Sequence, residues 1–173
     1  MSNITNGTMK DIGYEGFYAY YEKGLWGIKN IAGEIICKPK YSFIEKFKYE
    51  GYARVGYKDK TCFIDTDFER KFEEYLQVRP FINGFAAVQT FFEKWTFIDA
   101  NGNKLTNKCY AEVGAFDTFS YARVFDERTE KFGFIDRNGE EVFGGCIYDF
   151  AEIQKNARLR VRLNGDEFFI SKY

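Results

Sequence analysis

Few residue types here could do chemistry. Three aspartates recur at matched places: Asp65 in Phe63-Ile64-Asp65, Asp99 in Phe97-Ile98-Asp99 and Asp136 in Phe134-Ile135-Asp136. An array of carboxylates could serve acid–base work, calcium binding or glycoside cleavage. A residue in the same place of every copy of a turn is better explained by the turn, because an aspartate oxygen accepts nearby backbone N–H bonds. Asp99-x-Asn101-Gly102-Asn103 and Asp136-x-Asn138-Gly139-Glu140 echo part of a calcium loop. Both lack its further acidic positions and its distal glutamate.

Histidine is absent. That removes the usual base near neutral pH and the commonest metal ligand. Cys37, Cys62, Cys109 and Cys146 are widely spread and form no Cys-x-x-Cys pair. Reduced, mostly buried thiols are expected, with Cys109 and Cys146 the pair nearest a disulfide arrangement because they fall at like positions. A cysteine nucleophile would lack its activating histidine, and a Ser-His-Asp arrangement is excluded. No phosphate-cradling glycine motif is present. The reading is no catalytic residue, no metal site and no cofactor.

The elements that would hold these residues repeat. Phe63-Ile64-Asp65 returns after 34 residues at Phe97 and after 37 more at Phe134, with Ile28-Lys29-Asn30 and Phe169-Ile170-Ser171 as outlying copies. A bulky residue and usually a small one precede the segment: Trp26-Gly27, Trp95-Thr96, Phe132-Gly133 and, more weakly, Thr61-Cys62. Upstream lies a small-x-apolar triplet: Ala19-Tyr20-Tyr21, Ala53-Arg54-Val55, Ala86-Ala87-Val88, Ala122-Arg123-Val124 and Leu159-Arg160-Val161. Downstream come a turn, then Tyr41, Tyr75, Tyr110 and Tyr148, then Phe47, Phe81 and Phe116, with Gln154 in the fourth copy. Landmarks that keep order over several copies mark tandem repeats.

Lys94-Trp95-Thr96-Phe97-Ile98-Asp99, Lys131-Phe132-Gly133-Phe134-Ile135-Asp136 and Leu25-Trp26-Gly27-Ile28 resemble the WG-repeat family of bacterial proteins. The resemblance covers about Tyr14 to Tyr173, and the second copy, with Phe68 where the turn glycine falls, departs most. It implies a repeat module without an assigned chemistry.

Each unit reads as short strands joined by tight turns, and one unit cannot bury its aromatic face alone. The expected fold is all-β: tandem, roughly 35-residue β-hairpin repeats stacked as a solenoid-like or closed propeller-like array. Residues 1–13 read as an N-terminal leader, and 14–173 as a single domain of about four repeats with partial units at both ends. Phe68 to Leu76 is the best helical candidate. Aromatics make up 20% of the chain, with 20 Phe and 13 Tyr, which suits pleated sheets. Trp26, Trp95, Phe97, Phe132, Phe134, Tyr41, Tyr110 and Tyr148 are expected in the core. Tyr18, Tyr20, Tyr52, Tyr57 and Tyr121 are the candidates for exposure.

Twenty-five basic and 26 acidic residues balance to −1, which argues against a nucleic-acid binder. Ser2 to Lys10 is polar, and no long apolar run follows. Neither signal peptide nor membrane span is expected, and a bacterial cytoplasmic location is. Asn3-Ile4-Thr5 and Asn6-Gly7-Thr8 are then chance matches to a glycosylation acceptor.

Arg54, Arg123 and Arg160 occupy the middle of their triplets, with Tyr20 and Ala87 in the other two. In Arg158-Leu159-Arg160-Val161-Arg162-Leu163, alternation puts three arginines on one face. Arg54, Arg123, Arg158, Arg160, Arg162 and Tyr20 are therefore the candidate partner-binding residues, facing another protein with an acidic surface. The plainer reading is a solvated face or charges that protect an edge strand. The functional expectation is a non-enzymatic protein–protein interaction or scaffold module: an adaptor, an effector-associated protein or a toxin-neutralising partner. The alternative is a carbohydrate-binding module using exposed aromatics, with a glycan as ligand; the second alternative is an enzyme of unrecognised type.

Overall fold

The recurring aspartates build one turn, repeated. Asp99 Oδ1 accepts the N–H groups of Asn101 and Asn103 at 2.9 and 2.8 Å. Asp136 does the same for Asn138 and Glu140, at 2.8 and 3.1 Å, and Asp65 for Asp67 and Glu69, at 3.1 and 2.9 Å. In the first copy Asn30 stands in, accepting from the Glu34 N–H at 3.0 Å. The fourth residue of each turn has positive φ: 84° at Gly33, 85° at Gly102 and 80° at Gly139. Phe68 adopts 61° there despite its side chain, and its ring packs among Tyr14, Phe17 and Phe47.

These bonds hold the Asp99 carboxyl below the usual carboxylate range, chiefly through the Asn103 side-chain amide and then the backbone N–H groups. A lowered folded pKa contributes stability that is full above the unfolded value, about 3.9. That stability is lost as pH falls through the folded value. Asp99→Asn should keep the turn, as Asn30 does, and flatten the acid limb of a stability–pH curve. An unchanged acid limb would remove Asp99 from the acid response.

Residues 8–48, 50–118, 120–155 and 158–170 are described by the computed structural model. The chain divides into two compact units, Met1–Val78 and Arg79–Tyr173, whereas the sequence reading draws one domain over 14–173. In the first unit β1 (Met9–Asp11), β2 (Phe17–Glu22), β3 (Leu25–Asn30) and β4 (Ile35–Tyr41) form an antiparallel sheet in that order. The next four strands, β5 (Phe43–Ile44), β6 (Ala53–Tyr57), β7 (Lys60–Ile64) and β8 (Arg70–Lys71), form a second. β9 (Gln77–Val78) follows, with the Val78 N–H donating to Thr61 Oγ1 on β7 at 2.8 Å.

In the second unit β10 (Phe85–Gln89) pairs with β11 (Trp95–Asp99). A four-stranded sheet follows, β12 (Glu112–Val113), β13 (Tyr121–Asp126), β14 (Lys131–Asp136) and β15 (Glu141–Val142). The last sheet has β16 (Phe150–Ile153), β17 (Leu159–Leu163) and β18 (Asp166–Ile170). The fold is all-β, a series of small antiparallel sheets, and no helix occurs among the described residues. The helical candidate Phe68 to Leu76 is instead β8 flanked by turns, with Phe68 and Phe72 both at positive φ, which no right-handed helix tolerates. Met9–Asp11, within the segment read as a leader, is a strand of the first sheet. Residues 1–7, with the matches at Asn3 and Asn6, lie outside the described residues, as do Ser171 and Tyr173.

A central hairpin with one register recurs in every sheet. Ala53 faces Ile64, Ala86 faces Ile98, Ala122 faces Ile135 and Leu159 faces Ile170. In the three alanine copies the small residue leaves room for the branched one across the pleat. The first copy corrects the sequence alignment. Tyr20 pairs with Gly27 as Val55 does with Cys62, Val88 with Thr96 and Val124 with Gly133. Tyr20 is therefore the counterpart of the valines, and Ala19 that of Arg54 and Arg123.

Sheets pack face to face within each unit. Ala19, Ile28 and Tyr41 of the first sheet meet Ala53, Val55 and Ile64 of the second. Phe97 and Tyr110 meet Ala122, Val124 and Ile135 in one cluster, and Phe134 and Tyr148 meet Ala151, Leu159 and Val161 in another. Tyr41, Tyr110, Tyr148, Phe97 and Phe134 are buried, as expected. Trp26, Trp95 and Phe132 are not: each is half-buried, packed on the rim of its cluster. Tyr20 and Tyr121, expected outside, are buried, while Tyr18, Tyr52 and Tyr57 are half-buried.

Candidate functional site

The arginines at the middle of the triplets point off the hairpin face as alternation requires. What they reach is the backbone of a following strand. Arg54 donates to the Val78 carbonyl at 3.3 Å, and Arg123 to the Ala151 carbonyl at 3.4 Å. Where the middle residue is alanine, the cation comes from its neighbour across the strand pair. Lys10, facing Ala19, donates to the Ile44 carbonyl at 2.6 Å. Arg79, whose N–H bonds the Ala87 carbonyl, donates to the Val113 carbonyl at 2.7 Å.

The acceptors are themselves equivalent. Ile44 faces Val55, Val113 faces Val124 and Ala151 faces Val161. Val78 directly precedes Arg79, as those three precede Glu45, Gly114 and Glu152. One cation per repeat therefore clamps a carbonyl at a fixed place, supplied from either of two cross-strand positions.

The half-buried bulky residue now has a role. The Lys10 ammonium lies 5.9 Å from the Trp26 ring, the Arg79 guanidinium 4.1 Å from Trp95 and the Arg123 guanidinium 5.0 Å from Phe132. The aromatic ring supports the clamping cation through its π face. The second copy has Thr61 at the bulky place, and Arg54 lies 5.7 Å from the Phe43 ring instead. Glu45 also pairs with Arg54, and Glu112 lies 3.8 Å from Arg123.

Arg160 differs. No following sheet meets it among the described residues, and it is held by Glu167 at 2.7 Å and Glu152 at 3.7 Å. Glu167 faces Arg162 as Phe132 faces Phe125, so a carboxylate stands at the bulky place. Arg158 and Arg162 are exposed on the same side of β17, Arg158 stacking 3.9 Å from the Phe169 ring. The predicted strip is thus not one surface of equivalent hooks. Arg54 and Arg123 are engaged within the chain, Arg158, Arg160 and Arg162 share the outer face of the last sheet, and Tyr20 belongs to neither.

Two features escaped the sequence reading. The clamp cations Lys10 and Arg79 become visible only once strand register is known, because they alternate in place with Arg54 and Arg123. The second is Phe91-Phe92, which sequence could have flagged as an apolar pair amid turn-forming residues. The Thr90 N–H bonds the Lys94 carbonyl at 2.8 Å and the Glu93 N–H bonds the Thr90 carbonyl at 3.0 Å, fixing a tight loop. At its tip Phe91 and Phe92 are 61% and 86% exposed.

Burial, with Glu73 and Glu141 respectively nearby, pushes the Cys62 and Cys146 thiols up to about 11. All four cysteines are free; Cys37 and Cys62 are buried, Cys146 is half-buried and Cys109 is exposed. An open hollow of 420 Å³ beside β1 is lined by Met9, Tyr14, Phe17, Tyr18 and Ile31 among others. Asp11 at its edge is drawn down by its bond from Lys46. Among the described residues no group of three or more Cys, Asp or Glu is placed to hold a metal, and no helix is long and apolar enough to cross a membrane.

The fold and these positions define an all-β repeat protein. Residues 26–60 and 132–165 match the family model described as "WG containing repeat", the family that the motifs resemble. No curated protein matches the chain. Among solved structures it is similar to Kluyveromyces lactis Hsv2, at 12% identity and a TM-score of 0.48, over 90% of this chain and 58% of that one. A computationally designed protein, Ika8, is similar at 11% identity and a TM-score of 0.44, over 89% of this chain and 55% of that one. The chain spans less than two thirds of the length of either structure.

Proposed function

We propose that this chain is a non-enzymatic repeat scaffold that binds another protein. The repeat match and the series of small sheets support a scaffold; the observation that carries the binding role is the Phe91-Phe92 loop. Tight turns favour Gly, Asn, Asp, Pro or Ser, each for a conformational reason that phenylalanine does not supply. Exposed aromatics on a hydrogen-bonded loop can serve as anchors for a partner's apolar pocket. The raised thiol pKa values and the turn-bound aspartates favour the non-enzymatic reading. Arg54 and Arg123 bond carbonyls and Arg160 pairs with glutamates, so support for an acidic partner surface narrows to Arg158 and Arg162. Both are exposed, although their guanidinium groups lie near Phe169 and Phe150 respectively. The same reading carries a stacked arrangement of the repeats, solenoid-like or closed and propeller-like, which small-angle scattering separates.

The test is affinity capture from a bacterial host lysate on the immobilised chain, with Phe91→Ser/Phe92→Ser and Arg158→Glu/Arg162→Glu as parallel baits. A partner kept by the wild type and lost with the loop variant, then confirmed by direct binding of the purified pair, supports the proposal. A partner lost only with the arginine variant moves the site to the last sheet. Equal capture by all three baits removes both surfaces.

A further inference from the structure

Among the described residues one donor half and one acceptor half of the repeat junction stand exposed, and from this we infer that the protein assembles head to tail. The outer face of β16–β18 in one copy receives β1 of a second copy. This stands independently of the Phe91-Phe92 loop.

The donor half is the face bearing Arg160. Phe169 faces Arg160 as Phe63 faces Arg54, Phe97 faces Ala87 and Phe134 faces Arg123. Those three phenylalanines are 2%, 1% and 0% exposed, whereas Phe169 is 46% exposed. Arg160 likewise occupies the place from which Arg54 and Arg123 clamp a carbonyl, and it is paired instead with Glu167 and Glu152, its guanidinium 5.6 Å from the Phe150 ring.

The acceptor half is β1. Met9 faces Tyr20 as Ile44 faces Val55, Val113 faces Val124 and Ala151 faces Val161. The Met9 carbonyl is thus the counterpart of the four clamped carbonyls. Ile44, Val78, Val113 and Ala151 are all buried, at 5% exposure or less, while Met9 is 66% exposed. A junction built four times inside the chain has its two loose halves at places that match each other.

Strand addition at the β18 edge is the weaker alternative. Phe168 stands there at the place of Gly27 and Gly133, where the absence of a side chain admits the next segment of backbone. The outer face also carries Arg158, Arg162, Glu152 and Glu167, so it is wetted in the free chain and its association is weak and salt-sensitive. Donor and acceptor are different surfaces, so the contact is heterologous and does not stop at a dimer.

The test is sedimentation velocity of the full chain over a concentration series, with Arg160→Glu and Met9→Glu variants. Both substitutions lie on exposed or half-exposed positions, and unchanged melting temperatures confirm their folding. Wild type should grow past the dimer as concentration rises, and each variant alone should stay monomeric. An equimolar mixture of the two should give dimers and nothing larger, because Arg160→Glu keeps a working β1 and Met9→Glu keeps a working Arg160 face. A wild type monomeric at every concentration overturns the inference. So does growth that ignores either substitution, or a mixture that fails to form dimers.

Discussion

Phe134→Ala should lower the unfolding free energy by about 3–5 kcal/mol, while Phe169→Ala, at the same repeat place, should change it by about 1 kcal/mol or less. Phe134 is fully buried between the sheet that carries it and Ala151, Leu159 and Val161 of the last sheet. Its ring meets Phe143 and Tyr148 at centroid distances of 6.3 Å, so truncation removes aromatic contacts and leaves a cavity that two packed sheets close only in part. Phe169 has Arg158 on one face and solvent on much of the rest. Denaturant melts of the two variants check this. Equal losses would mean that the outer face of the last sheet is packed in the isolated chain.

Gly27→Ala should cost about 2–3 kcal/mol through overpacking. Gly27 has ordinary backbone angles, and what it needs is space. A Cβ there would lie 2.6 Å from the Cys37 carbonyl oxygen, 2.7 Å from the Tyr20 ring and 2.9 Å from the Pro39 nitrogen. Two of these are backbone atoms of β4, so relief requires a whole strand to move. Gly133 meets the same limit, with the Gly145 carbonyl oxygen 2.7 Å and Cys146 Sγ 2.9 Å from an added Cβ. The glycine after the bulky residue is thus explained by the close return of the chain over it. Thr96 stands buried at that place, its hydroxyl donating to the Thr106 carbonyl at 3.2 Å. A thermal melt of Gly27→Ala within a degree or two of wild type would show that β4 yields without cost.

Much of this architecture is legible in the residues. The Asp-x-x-Gly turns, the Ala and Ile pairs and the buried tyrosines follow from spacing alone, since each depends on contacts close in sequence or fixed by alternation. The register of the first copy is not legible, because Ala19-Tyr20-Tyr21 mimics the triplet one residue late and only pairing with Gly27 and Ile28 reveals the offset. The bulky position misleads for a related reason. Its apolar character suggests the core, yet Trp26, Trp95 and Phe132 serve cations on the rim. The arginine strip was half legible: direction follows from alternation, but the partner of Arg54 or Arg123 is a carbonyl some 24 or 28 residues on, which no local pattern announces.

The clamp is the central claim, and moving its cation tests it. Arg123→Ala should destabilise the chain by about 1–2 kcal/mol, the worth of a charge-assisted bond to a part-buried carbonyl. The cation can be resupplied from across the strand pair, as Arg79 does beside Ala87. Gly114, whose N–H bonds the Arg123 carbonyl at 2.7 Å, is the matching place. A Cβ there meets nothing closer than 3.7 Å, so a side chain can start from this position without a backbone clash. Denaturant unfolding of Arg123→Ala and of Arg123→Ala/Gly114→Arg is the direct measurement. Loss in the single variant and recovery of most of it in the double variant is the predicted result. A neutral single variant, or a double variant no more stable than the single, would contradict the clamp.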